Sequence, residues 1–149
     1  MVNELKQNYL SVRRGIMDKN NVNHPKHYTE GTIETWDFIA SWRFCNLLGN
    51  VVKYISRAGK KNDEVEDLMK ARSYLVKKMT IGDFLELPPM NSAAIDPRVY
   101  AEDIGINENR ADILYWLCMY KRTKDKEFLE GALFNLEKEI EGVQKETKS

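Results

Sequence analysis

The chain has 149 residues, 42% hydrophobic and 31% charged, which is the size and balance of one globular domain and too apolar for wholesale disorder. Its 23 Lys and Arg offset 23 Asp and Glu, so no global field draws the molecule onto nucleic acid or an anionic membrane, and any phosphate binding has to be local. Residues 1–9 lack an apolar signal core, the longest apolar stretch, 113–120, is too short to span a bilayer, and Cys45 and Cys118 form no CxxC pair; the expectation is a cytoplasmic protein with reduced core thiols, no membrane attachment and no stable nucleic acid complex.

Val2, Leu5, Tyr9, Val12 and Ile16 recur at helical spacing and predict a first amphipathic helix that ends at the polar run 18–21. In the next segment, His24-Pro25-Lys26-His27-Tyr28, proline removes a donor and pushes His24 out of the helical region, so it reads as an ordered strap. Thr32 is placed to cap a second helix through Cys45, with Ile33, Trp36, Ala40 and Phe44 on one face. Phe38, Trp42 and Cys45 make another face apolar, which predicts deep packing and, because both faces are apolar, a homo-oligomer.

A third helix is expected over 47–58, with Gly59 as its stop, and a fourth over 63–79, burying Leu68, Ala71, Leu75 and Met79. The turn 59–62 is short enough to pair them antiparallel. The composition changes at Ile81-Gly82, and Leu87-Pro88-Pro89-Met90-Asn91-Ser92 cannot continue a helix, which marks this region as the candidate internal boundary within one domain. Beyond it, Asp96-Pro97 opens a short helix. Residues 108–122 carry Ile113, Leu117 and Tyr120, and Asp125 begins a last helix with Leu129, Leu133, Leu136, Ile140 and Val143, frayed from Lys145. Tyr115, Trp116, Tyr120 and Phe134 read as core aromatics. The expected fold is all-α, a compact helical domain of about six or seven helices without substantial sheet.

The chemistry concentrates in the first half. Asn50, Lys53, Tyr54 and Arg57 fall at i, i+3, i+4 and i+7 and share one face of the third helix, opposite Leu48, Val51, Val52 and Ile55. Two cations, an amide and a phenol so aligned suit phosphate oxygens, with Lys60 and Lys61 just beyond, although the same pattern also describes a solvated face. The strap holds both histidines of the chain, His24 and His27, beside Lys26 and Tyr28, groups that hydrogen-bond phosphate or serve as general acid and base. Of the acids 63, 64, 66 and 67, Glu66 and Asp67 could hold Mg²⁺ beside a phosphate, while the run also suits the positive end of a helix dipole. Asp67, Lys70 and Tyr74 lie on one face and could border the same pocket. Walker A is excluded: Tyr54 stands where its first glycine belongs and Lys61 where Ser or Thr would bind Mg²⁺.

The HPKHY strap at 24–28, the block Gly49-Asn50-Val51-Val52-Lys53-Tyr54-Ile55-Ser56-Arg57-Ala58-Gly59-Lys60-Lys61 and the acidic-aromatic stretch through Tyr74 together resemble a small phage-encoded family that includes the nucleotide kinase of T7-like phages. The resemblance covers about residues 22–79, which it marks as a nucleotide-site module, and leaves 80–149 as a helical C-terminal extension of the same domain. It implies a phage origin, a host-cytoplasmic setting, a mostly helical module, and phosphorylation of deoxynucleoside monophosphates without a P-loop, with ATP as donor and Mg²⁺ as cofactor. It points to His24, His27, Tyr28, Asn50, Lys53, Arg57 and Asp67 as site residues. Two other readings of a nucleotide site stand beside it. One is non-catalytic sequestration of a nucleotide or cyclic nucleotide signal of host antiphage defence. The other is a Mg²⁺-dependent nucleotide pyrophosphatase, whose second acidic motif would be Glu108 and Asp112.

Overall fold

The helical periods become six α-helices in the computed structural model, which describes residues 31–83, 86–90 and 92–148. They are α1 (Thr35–Trp42), α2 (Asn46–Arg57), α3 (Glu64–Ile81), α4 (Pro97–Ile104), α5 (Glu108–Thr123) and α6 (Glu127–Lys148). The protein is all-α, with no strand among the described residues. The expected amino-terminal helix and the strap with His24, Lys26, His27 and Tyr28 lie outside them.

On α2, Leu48, Val51, Val52 and Ile55 are fully buried, and they meet Leu68, Ala71 and Leu75 of α3, also fully buried. Gly59 at φ +84° ends the first of these helices, a left-handed conformation that glycine adopts without a Cβ penalty. Asp63 then caps α3 by accepting from Glu66 N at 2.8 Å. The two helices run antiparallel: Arg57 reaches Asp67, and one turn back Tyr54 stacks on Tyr74. In the second half, Asp96 caps α4 with Pro97 in its first turn, and Asn107 caps α5. The hairpin of α5 and α6 is fixed by Trp116 stacked on Phe128 and by Asn109 donating to Glu139 and to Asn135 O.

Arg110 joins the halves. Its guanidinium donates to Ala58 O behind α2, to Glu64 on α3 and to Glu139 on α6, all within 2.9 Å. A second buried polar knot holds the segment after α3. Glu86, its carboxylate sealed from solvent, has one oxygen 2.8 Å from Lys78 Nζ and the other 2.8 Å from Lys121 Nζ. Lys121 Nζ also donates to Arg43 O, and Lys78 Nζ to Gly82 O.

Several expectations change. Thr32 does not cap α1; its hydroxyl donates to Asp103 Oδ1 at 2.8 Å and Ile33 N donates to Asp103 Oδ2, while Glu34 takes the N-cap position. The helix stops at Trp42 instead of Cys45 because Arg43 turns into the left-handed region at φ 55°. Shortened in this way, α1 turns Phe38 and Trp42 inward and leaves Trp36 outside at 69% exposure. Phe134, expected in the core, is equally exposed, and α6 stays helical past Lys145. Cys118 is buried and Cys45 half-buried, both as free thiols, and burial raises the pKa of each. No helix among the described residues is long and apolar enough to cross a membrane.

Candidate functional site

Helix α1 lies across α2 in a fixed register. Tyr100 Oη, buried and stacked through its ring on Phe38, hydrogen-bonds at 2.8 Å to both Thr35 Oγ1 and Ser56 Oγ. At the other end of α1, Ile39 lies so close to Gly49 that a Cβ added there would stand 3.2 Å from Ile39 Cγ2. Glycine at this position lets the helices approach, and a cavity of about 910 Å³ opens along their outer seam.

The cavity is bipolar. The α2 wall offers Asn46, Asn50, Lys53 and Arg57, continued by Lys60 and Lys61 after the helix. The α1 side is mainly apolar, with Ile33, Trp36, Ile39 and Phe44 beside Glu34 and Thr35, and Ile104 enters from α4. The local reasons are plain: the 3.6-residue period that buries Leu48, Val51, Val52 and Ile55 turns the polar set the other way, and Arg57 in the last turn complements the negative end of the helix dipole. Lys60 Nζ donates to Ile104 O at 2.7 Å, which holds the segment after α2 against α4. Asn50 donates to Asn46 O and Asn46 Oδ1.

Five of the residues read from the sequence therefore line one cavity: Asn50, Lys53, Arg57, Lys60 and Lys61. Tyr54, Lys70 and Tyr74 do not. They form an adjoining cluster in which Tyr54 stacks on Tyr74 at 5.9 Å and carries Lys53, Arg57 and Lys70 around its ring at 5.4, 4.7 and 5.6 Å.

The acidic run is distributed over structural partners. Asp63 caps α3, Glu64 pairs with Arg110, Glu66 pairs with Lys70 at 3.1 Å, and Asp67 receives Arg57. The Glu66 hydrogen bond raises the pKa of the exposed Lys70. Asp67 is fully buried, and its two oxygens lie 3.1 to 3.3 Å from Arg57 Nε and Nη2, a two-pronged grip that sets the direction of the guanidinium. Neither Glu66 nor Asp67 lines the cavity, and no three His, Cys, Asp or Glu among the described residues come together as a metal-holding group.

Sequence reasoning missed Trp36 as a cavity-lining residue, because the row Ile33, Trp36, Ala40 and Phe44 is itself a plausible buried face. The competing row that includes Phe38 and Trp42 was the available signal, since it puts Trp36 on the far side of the helix.

A family described as a protein of unknown function, DUF3310, matches residues 22–76, the stretch that contains α1, α2 and most of α3. No curated protein and no solved structure matches the chain.

Proposed function

We propose that the cavity between α1 and α2 binds a phosphate-bearing nucleotide, and that the protein is a P-loop-less deoxynucleoside monophosphate kinase, the activity its sequence resemblance implies. The observation that carries this reading is the bipolar lining, in which Lys53, Arg57, Lys60 and Lys61 share one space with Trp36, Ile39 and Phe44. Its volume of about 910 Å³ suits a whole nucleotide. In the reaction, a phosphate oxygen of the acceptor monophosphate attacks the γ-phosphorus of ATP, the bond to the β-phosphate oxygen breaks, and ADP leaves. Such transfer depends mainly on positioning and charge neutralisation, which Lys53 and Arg57 supply, with His24 or His27 of the strap assisting proton movement. The carboxylates of Glu66 and Asp67 are engaged by Lys70 and Arg57 and do not fit a dedicated magnesium site, so no step runs through them. In this reading Asp67 positions Arg57.

One observation favours non-catalytic sequestration as a second reading: Glu34, which accepts from the Trp36 indole, is the one carboxylate among the described lining residues. Retention of a nucleotide needs cations and aromatic surface but no base. The pure protein incubated with a nucleotide panel, with and without ATP and Mg²⁺, separates the two by mass spectrometry. Conversion of a monophosphate to a diphosphate supports the kinase, retention without conversion supports sequestration, and neither outcome with any nucleotide overturns the cavity reading.

Asp67→Asn keeps the shape but removes the charge that aims Arg57. It is expected to weaken nucleotide binding about tenfold in a titration, because a mispositioned guanidinium loses much of one charge-assisted contact. If binding is spared and turnover alone is lost, Asp67 acts on the reaction and not through Arg57. The reading extends to a homo-oligomer in the bacterial host cytoplasm. Light scattering at tens of micromolar is expected to give a mass above the 17.4 kDa of one chain.

A further inference from the structure

We infer that Trp36 is the surface on which the base of the bound nucleotide stacks, so that the site selects nucleotides over bare phosphate or sugar phosphate. This rests on the cavity reading above and adds the base to it. The register of α1 against α2 sets the position: Thr35 is tied through Tyr100 to Ser56, and Ile39 lies against Gly49. Trp36 follows Thr35 directly, and it lines the same cavity as Lys53.

Its exposure is the second observation. Phe38 and Trp42 of the same helix, and Tyr100 stacked on Phe38, are at most 1% exposed, whereas Trp36 is 69% exposed and lines the cavity. Its indole is thus left outside the core and open to the cavity. The ring is also held, because its Nε1 donates to Glu34 Oε2, so its face is oriented before a ligand arrives. Ile39 and Phe44 extend the apolar lining, while the cations lie on the α2 wall, as a base joined to a phosphate requires. Every nucleobase offers a π-face, so stacking alone predicts weak preference among bases.

The test is calorimetric titration of the parent, Trp36→Ala and Trp36→Phe with the four deoxynucleoside monophosphates and with deoxyribose 5-phosphate, which keeps the phosphate and sugar but lacks a base. The expected result is that Trp36→Ala loses about tenfold to a hundredfold in affinity for all four nucleotides and is unchanged toward deoxyribose 5-phosphate, while Trp36→Phe retains most of the affinity. Since Trp36 is exposed, both variants should melt with the parent. Equal nucleotide affinity in Trp36→Ala overturns the inference alone. So does an equal loss toward deoxyribose 5-phosphate, which would make Trp36 a residue of cavity shape. A parent that binds none of the five probes removes the cavity reading and this inference together.

Discussion

Replacing Lys53 and Arg57 together with alanine is expected to reduce nucleotide affinity by more than a hundredfold, about 3 kcal/mol, because two charge-assisted contacts to phosphate disappear at once. Both side chains leave α2 on the cavity face, opposite the buried Val51, Val52 and Ile55, so neither loss opens the core directly. The structure adds a cost that the helix period does not show. Arg57 is the partner of the fully buried Asp67, and its removal leaves that carboxylate without its counter-charge. Lys53→Ala, which breaks no buried pair, is therefore the clean single variant, expected to lose about tenfold while melting with the parent. Adding Asp67→Asn to the double variant removes the stranded charge and should restore stability without restoring affinity. If the double variant titrates like the parent, with helical content unchanged, the basic face of α2 merely faces water.

Glu86→Ala is expected to have the largest effect on stability, roughly 3–5 kcal/mol, because it leaves the ammonium groups of Lys78 and Lys121 buried without their shared counter-ion. For a chain of this length that corresponds to a fall in Tm of roughly 10 °C. The pH dependence follows from the same geometry. Burial alone would raise the Glu86 carboxyl, but hydrogen bonds from Lys121 and Lys78 outweigh it and lower the pKa from 4.5 to about 2. A carboxyl depressed on folding stabilises fully above its unfolded value and loses that contribution as pH falls through its folded value. The parent should thus lose stability between about pH 5 and pH 2, and Glu86→Ala should show a shallower decline over the same range in urea titrations. A variant as stable as the parent at neutral pH would mean that the two lysines find water or other acceptors.

The helices with one dominant period were legible from the sequence. On α2 the apolar and polar rows separate cleanly, and Gly59, Asp63 and the Asp96-Pro97 pair mark ends that the structure uses. In α1 two apolar rows compete, and the choice between them depends on where the helix stops. That stop is made by Arg43 in a conformation usually marked by glycine, so the sequence carried no sign of it, and the deep packing expected of both faces does not extend to Trp36. The buried lysines were illegible for another reason. Nothing in the sequence marks Lys78 and Lys121 for burial, because their partner, Glu86, arrives from a segment between the two helices, and only the folded chain brings the three together. Asp67 could be seen as a site candidate from its place after two basic residues, but not that its partner would be Arg57, ten positions earlier and across a turn.

The clamp that Tyr100 makes on Thr35 and Ser56, together with Asp103 on Thr32 and Ile33 and Arg110 on Ala58, separates the parts that grip from the part that sets their spacing. The cavity-lining cations and Trp36 lie within the family-matched stretch, whereas the clamping residues come from α4 and α5, outside it. Transplanting residues 22–76 into another frame would therefore carry the chemical groups without the distance between them. Conversely, a small change in how α4 seats against the bundle would alter the width of the cavity between α1 and α2, with every side chain of the matched stretch left as it was.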